Sequence, residues 1–210
     1  MTRDAFLEEL EQKLKAAKPG LPAQLKMAPH PRPGQKVYTE VEDICQKAGV
    51  MVLVYPRQGI WHLVLIRRTP TVLHHKDQIG FPGGQMEPGE DFIRTALRET
   101  EEEIGVFPSR IKIIGPLTPL FVPPSNFCIY PVVAAADGPL SFNPYPDEVA
   151  EIIEVPLRHL TDPRNVREEN WTIRGERVNV PFFAFGEHKI WGATAMILAE
   201  FLDVLQRTKG

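Results

Sequence analysis

The sequence has few cysteines and no long apolar run. Two cysteines occur among the 210 residues, Cys45 and Cys128, and they lie far apart and outside any metal-ligand spacing. One disulfide between them is possible, but we expect two reduced, buried thiols. No stretch approaches the roughly 18 apolar residues that a membrane-spanning helix requires, so we expect no membrane segment.

The sequence also lacks an excess of basic residues. Its formal net charge is −3 at pH 7, so the composition gives no sign of the basic surface that binds nucleic acid. The first residues, MTRDAFLEEL, are too charged for a secretory signal. There is neither an internal repeat nor a low-complexity tract. These absences favour a cytoplasmic protein without nucleic-acid or membrane partners.

The composition that remains is typical of a globular protein with a substantial core, with 43% hydrophobic residues and 21 prolines. Apolar spacing predicts a helix over 4–17. We expect this helix and a proline-rich arm to occupy residues 1–37, and one domain to occupy residues 38–210. In that domain we expect a short helix over 41–48, a loop over 68–83 and a closing helix over 190–205. The predicted strands cover 49–55, 61–67, 111–117, 127–135, 148–155 and 178–185. Strands on both sides of a central helix favour an α/β fold with a mixed sheet between helices.

The central helix lies in the stretch from Gly84 to Val106, GQMEPGEDFIRTALRETEEEIGV. An apolar stripe of period near 3.6 predicts the helix, and Gly105 is placed to end it. Four acids crowd its last turns, where the negative pole of the helix dipole makes them unfavourable. A bound cation is the simplest compensation, and Mg²⁺ or Mn²⁺ prefers oxygen ligands of this kind. The acids are Glu99, Glu101, Glu102 and Glu103.

This stretch resembles the Nudix box, G-x5-E-x7-REUxEExGU, in which U is bulky and apolar. The matching positions are Gly84, Glu90, Arg98, Glu99, Glu102, Glu103, Gly105 and Val106. Thr100 departs from the pattern at the first U, where its methyl group can still pack. The resemblance implies an α/β/α sandwich with a mixed sheet. It also implies metal-dependent hydrolysis of a nucleoside diphosphate linked to another group.

The resemblance also implies roles for individual residues. Arg98 would orient a carboxylate, and Glu102 would act as a further ligand or base beside Glu103. A later loop would supply an additional catalytic acid, for which Glu148 is preferred to Glu151. The implied metal ligands are the carbonyl of Gly83 and the carboxylates of Glu99, Glu102 and Glu103.

The segment LIRRTPTVLHHKDQIGFPGG, residues 65–84, resembles the signature of the coenzyme A pyrophosphatase branch. That branch would cleave coenzyme A or an acyl derivative to phosphopantetheine and adenosine bisphosphate. Asp77 departs most, because it stands where a glycine is usual and adds a negative charge near a phosphate-binding loop. The residues implied to contact substrate are Arg68, His75, Gln78 and Phe81.

The sequence leaves several other hypotheses on substrate and function open. Arg67, Arg68 and Lys76 are each candidates to bind the ribose phosphate of coenzyme A. The substrate could instead be ADP-ribose or a dinucleoside polyphosphate. A non-catalytic nucleotide sensor is a further alternative, although such domains usually lose a box glutamate. The N-terminal arm could also pack across a homodimer.

Overall fold

The helices and strands follow the sequence pattern closely in the computed structural model, which describes residues 3–31, 38–70 and 77–207. The helices within these residues are α1 Arg3–Lys15, α2 Leu21–Leu25, α3 Phe92–Ile104, α4 Leu157–Leu160 and α5 Gly192–Gln206. The strands within them are β1 Gln46–Arg57, β2 Ile60–Arg68, β3 Ile79–Gly80, β4 Gly83–Gln85, β5 Ile111–Pro116, β6 Leu120–Val122, β7 Phe127–Ala136, β8 Val149–Pro156, β9 Val166–Ile173, β10 Glu176–Phe185 and β11 His188–Trp191. In the described chain, every helix is too short or too polar to cross a membrane.

A mixed sheet forms the centre of the molecule. Its strand order is β3-β2-β1-β7-β5, with β4 also pairing with β1, β6 with β7 and β8 with β2. Strands β1 and β7 are parallel, while β1 and β2 form an antiparallel hairpin. Strands β9, β10 and β11 form a separate antiparallel sheet. The predicted mixed sheet is therefore confirmed.

Helices cover both faces of the mixed sheet because the apolar side chains of β1 alternate. Met51 and Leu53 pack with residues of α3 in one core cluster. Val52 and Val54 pack with residues of α1 and α5 in another. A strand that is apolar at every position is buried on both faces. The predicted α/β/α sandwich is thus confirmed.

The N-terminal helices join this core. Leu10 and Leu14 of α1 are buried against the sheet and α5. The buried carboxylate of Glu200 in α5 accepts hydrogen bonds from the side chain of Gln24 and the hydroxyl of Thr118, at 2.8 and 2.6 Å. It also accepts the backbone N–H of Gly20 at 3.2 Å. The boundary between residues 37 and 38 stays a prediction, since residues 32–37 lie outside the described ones.

Three predicted elements differ in the structure. The helix predicted over 41–48 is wrong: residues 41–44 form turns, and β1 already begins at Gln46. The predicted loop over 68–83 contains β3 and the start of β4, which are too short to show a period. The closing helix begins at Gly192, because residues 188–191 form β11.

The prediction of two reduced thiols is also wrong. Cys45 and Cys128 form a disulfide, with their Cα atoms 5.8 Å apart. The cause is the parallel register of β1 and β7, which aligns Gln46 with Phe127 and brings both cysteines to the same end of the sheet. Sequence spacing alone could not reveal this, because 83 positions separate the two residues.

Candidate active site

The ends of α3 are formed by the residues that precede and follow it. The side chain of Asp91 caps the helix by accepting the backbone N–H groups of Ile93 and Arg94, both at 2.9 Å. Gly105 ends the helix in the left-handed conformation, with φ 71°. Thr100 is buried and donates its hydroxyl to the carbonyl of Ala96 at 2.6 Å. The departure at this box position is therefore accommodated in the core.

The C-terminal end of α3 is capped by the loop over residues 143–148. The N–H of Asn143 donates to the carbonyl of Ile104 at 2.9 Å, and the N–H of Tyr145 donates to that of Glu103 at 3.0 Å. Gly105 allows this approach, because a Cβ there would lie 2.8 Å from the Cβ of Asn143. Backbone N–H groups thus satisfy the negative pole of the helix.

Glu103 is the buried centre of the acidic cluster, with 1% of its surface exposed. One carboxylate oxygen accepts Nη1 of Arg68 and the other accepts the N–H of Gly83, both at 2.8 Å. Burial raises the pKa of Glu103 to about 8, and the carboxylates of Glu99 and Glu148 add to the rise. Arg68 and the Gly83 N–H oppose that rise.

Arg98 pairs with three other acids of the box, Glu90, Glu99 and Glu102. Its Nε and Nη2 donate to the two carboxylate oxygens of Glu90, at 2.8 and 3.1 Å. Its Nη1 donates to Glu99 at 2.8 Å and to Glu102 at 2.9 Å. This fork has the geometry expected of an arginine that orients carboxylates. Burial raises the pKa of Glu99, while Arg98 opposes the rise.

Gly84 allows the sheet to approach the helix closely. A Cβ on Gly84 would lie 2.4 Å from the carboxylate of Glu99, which is closer than van der Waals contact permits. Strand β4 pairs Gly84 with Gly49 of β1, and a Cβ at Gly49 would meet the carbonyl of Phe92 at 2.4 Å. Glycine at both positions therefore allows the two strands to pack directly against α3.

An open cleft of about 500 Å³ lies above these residues. Among its walls are a cation, three carboxylates and one aromatic ring. The carboxylate of Glu148 lies 3.6 Å from Nη2 of Arg68. Nη1 of the same guanidinium binds the buried Glu103, so Arg68 connects the cleft to that carboxylate. The residues that line the cleft are Arg68, Gly84, Gln85, Glu99, Glu102, Tyr145 and Glu148.

Arg67 and Arg68 serve opposite faces of the sheet because they are neighbours in β2. Arg68 faces α3, while Arg67 donates to Glu151 at 3.0 Å and to Asp77 at 2.8 Å. Glu151 also contacts His188 of β11 at 3.3 Å. A bulge between Arg67 and Arg68 accompanies this change of partner. Glu148 is thus part of the cleft, while Glu151 belongs to a separate ion-pair network.

The structure brings together most, though not all, of the predicted site residues. Arg68 lies in the cleft, whereas Phe81 is 5% exposed and packs in the core cluster of α1 and α5, on the other face of the sheet. Gln78 is exposed and its carbonyl accepts the N–H of Arg68 at 3.0 Å. His75 and Lys76 lie outside the described residues.

Sequence reasoning missed Gln85 and Tyr145 as residues of the cleft. Gln85 immediately follows the glycine pair and carries no motif of its own. Tyr145 lies between two prolines in the loop over 137–147. A ring held between prolines near the preferred acid Glu148 was the signal that could have found it.

The acids of the cleft have the chemistry of a hard-cation site. Glu99, Glu102 and Glu148 supply carboxylate oxygens to one cleft, and such oxygens suit Mg²⁺ and Mn²⁺. In the described part of the chain, however, no three acidic, histidine or cysteine side chains already converge on one point. Arg98 and Arg68 neutralise the acids instead, so a cation would have to replace some of these contacts.

Comparison with known proteins gives consistent matches. A model of the NUDIX domain matches residues 46–174. The chain is 34% identical over 145 residues to the Nudix hydrolase NudL of Photorhabdus laumondii, covering 69% of this chain and 77% of that protein. It is 34% identical over 167 residues to the human mitochondrial coenzyme A diphosphatase NUDT8, covering 77% of this chain and 66% of that protein. A Nudix hydrolase of M. smegmatis, RenU, has 21% identity and a TM-score of 0.48, over 56% of this chain and 74% of that one.

Proposed function

Since the chain belongs to the Nudix family and is a hydrolase of phosphoric anhydrides, we propose that it cleaves the pyrophosphate of coenzyme A or an acyl-coenzyme A. The products are phosphopantetheine and adenosine bisphosphate. Two relatives that carry the name mitochondrial coenzyme A diphosphatase, from human and mouse, are each 34% identical to this chain. Their alignments span 77% of it, well beyond the box itself.

The conformation of Asp77 is the observation that carries the choice of coenzyme A. Asp77 has φ 57°, a left-handed conformation that glycine adopts freely and aspartate tolerates. The backbone shape expected of the branch signature is therefore kept without the glycine. The carboxylate of Asp77 is paired with Arg67, on the face of the sheet away from α3. Its charge is neutralised there, which removes the main objection to the branch assignment.

Nudix hydrolases use divalent metal ions, and we propose Mg²⁺ or Mn²⁺ for this one. Glu99 and Glu102 would hold the ion in the cleft, with Glu103 and the carbonyl of Gly83 as further ligands. A bound divalent ion neutralises the pyrophosphate and lowers the pKa of coordinated water.

The chain's own residues orient the substrate and move a proton. Arg68 presents a fixed positive charge to the pyrophosphate, because Glu103 holds its guanidinium at 2.8 Å. Glu148 is the base we assign to the attacking water, since its carboxylate lines the cleft within 3.6 Å of Arg68. Arg98 keeps Glu99 and Glu102 oriented toward the cleft.

Product chromatography tests the proposal. The protein is incubated with Mg²⁺ or Mn²⁺ and coenzyme A, with ADP-ribose and a dinucleoside tetraphosphate in parallel. Phosphopantetheine should form only with the intact protein and metal. Glu148→Gln should lower kcat by about 10²-fold or more. Glu151→Gln is the matched control, because this nearby acid pairs with Arg67 and His188 and should change kcat little.

Two outcomes contradict the proposal. If ADP-ribose alone is cleaved, the chemistry stands and the substrate assignment fails. If Glu151→Gln is the inactive variant and Glu148→Gln is active, the assignment of the base is reversed.

A further inference from the structure

Tyr145 is an aromatic ring at the mouth of a cleft whose other walls are polar. The remaining lining residues are charged side chains, Gln85 and Gly84. Tyr145 is 48% exposed, so much of its surface is accessible from the solvent. A phenol ring in this position contributes little to the core and is available to a ligand.

The backbone of Tyr145 is held from two sides. The N–H of Tyr145 donates to the carbonyl of Glu103, and its own carbonyl accepts the N–H groups of Glu148 and Val149, at 3.0, 3.1 and 2.9 Å. The flanking prolines, 144 and 146, fix their own φ angles. Interaction of the hydroxyl with the carboxylate of Asp147 raises the pKa of Tyr145. A ligand that stacks on Tyr145 therefore loses little conformational entropy in ordering the backbone of this loop.

We propose that Tyr145 stacks on the purine base of the nucleoside half of the substrate. This inference rests on the proposed function, in which the cleaved pyrophosphate carries an adenosine. Both Tyr145 and Arg68 line the same cleft, so one ligand can reach the ring with its base and the guanidinium with its phosphates. Aromatic rings bind bases through their π-faces, which needs no hydrogen-bond pattern.

The position of the loop links base binding to catalysis. Through its backbone, Tyr145 is bonded both to the last turn of α3 and to Glu148, the proposed base. A nucleoside that stacks on Tyr145 therefore lies beside both the acidic helix and Glu148. Tyr145 is in this sense a residue that selects nucleotides over other pyrophosphates.

Two matched probes isolate the contribution of the ring. One is the non-hydrolysable α,β-methylene analogue of ADP, and the other is methylenediphosphonate, which has the same phosphonate group and no nucleoside. Binding of each is measured by calorimetry with Mg²⁺. The variants are Tyr145→Leu, which removes the π-face, and Tyr145→Phe, which keeps it. Phe107→Leu is the control, because Phe107 is 62% exposed and is not part of the cleft lining.

We expect Tyr145→Leu to bind the ADP analogue at least about fivefold more weakly. It should bind methylenediphosphonate as the parent protein does. Tyr145→Phe and Phe107→Leu should bind both probes within about twofold of the parent. In turnover, Tyr145→Leu should raise KM and leave kcat near the parent value, as expected for loss of binding that is equal in ground and transition states.

Other results would overturn the inference. If Tyr145→Leu weakens both probes equally, the ring supports the loop and does not read the base. If it weakens neither, the base lies elsewhere. The proposed function fails separately: a parent protein that leaves coenzyme A intact, yet loses ADP-analogue affinity on Tyr145→Leu, keeps the stacking role and changes the substrate.

Discussion

Arg67 and Asp77 form an ion pair, with 2.8 Å between Nη1 of Arg67 and Oδ1 of Asp77. The pair joins the end of β2 to the residue that approaches β3. It therefore fixes the spacing of the two chain segments on which Arg68 and Gln78 are carried. The backbone bond from the Arg68 N–H to the carbonyl of Gln78, at 3.0 Å, closes the same junction.

The first prediction separates the charge of Asp77 from its conformation. Asp77→Asn removes the charge and tolerates φ 57°, so kcat/KM for coenzyme A should stay within about threefold of the parent. Asp77→Val places a β-branched residue in a strained conformation and should cost about 1–3 kcal/mol of stability. Steady-state kinetics and urea unfolding measure the two effects. A large fall in KM for Asp77→Asn would instead mean that the charge repels the substrate.

The second prediction concerns the pair of Arg68 and Glu103. Above pH 8, where the Glu103 carboxyl is ionised, Arg68→Met leaves a buried carboxylate without its cation and should lower the free energy of unfolding by about 3 kcal/mol. Adding Glu103→Gln to Arg68→Met should recover most of this loss, because neither charge then remains buried. Both variants should lose about 10²-fold or more in kcat.

Urea unfolding of each variant, beside product chromatography, gives the measurement for this pair. Arg57→Met is the control, because Arg57 forms an exposed pair with Glu154 and such pairs are worth about 1 kcal/mol or less. Equal destabilisation by Arg57→Met and Arg68→Met would contradict the special position of Arg68.

The third prediction uses the close approach at Gly84. Gly84→Ala would put a methyl group 2.4 Å from the Glu99 carboxylate and should displace that side chain. We expect kcat to fall by about 10²-fold, since a misplacement of about 1 Å has effects of this size. Gly80→Ala is the control, because its nearest neighbour would be the hydroxyl of Thr194 at 3.9 Å. Similar kinetics for the two variants would show that Glu99 tolerates the displacement.

The fourth prediction is a pH dependence at the start of the box. Hydrogen bonds from Arg98, Thr95 and the Glu87 N–H lower the pKa of Glu90 to about 2, from an ordinary value of 4.5. A lowered pKa in the folded state gives stability that is present above pH 4.5 and is lost as the pH falls toward 2.

Denaturant unfolding at several pH values measures this effect of Glu90. The difference in stability between the parent and Glu90→Gln should be constant near neutral pH. It should shrink as the pH falls from 4.5 to 2. If the difference in stability persists unchanged at pH 2, the charge of Glu90 is not what stabilises the folded protein through its pair with Arg98.

The local signals of the sequence were sufficient to predict α3 and a mixed sheet that is covered by helices on both faces. The cap at Asp91, the stop at Gly105 and the apolar period are contained within neighbouring residues. The clash of acids with the helix dipole was also visible. Its solution was not, because it comes from the N–H groups of Asn143 and Tyr145, which lie far along the chain.

Long-range pairing explains the other differences. The disulfide depends on β1 and β7 being parallel neighbours. The choice of Glu148 over Glu151 depends on long-range partners, because Glu148 lies beside Arg68 just before β8, whereas Glu151 within β8 pairs with Arg67. Phe81 matches the branch signature, yet it packs in the core. A sequence motif gives the identity of a residue but not the direction in which its side chain points. Cytoplasmic location and homodimer formation stay predictions.

The disulfide closes the chain into a covalent ring from Cys45 to Cys128. Arg68, Gly84 and the acids of α3 lie within the ring, whereas Tyr145 and Glu148 lie outside it. A protease that cuts the backbone once inside the ring leaves both fragments tied together until the bond is reduced. A cut between Cys128 and Tyr145 has no such tether, so it divides the cleft into two separable polypeptides.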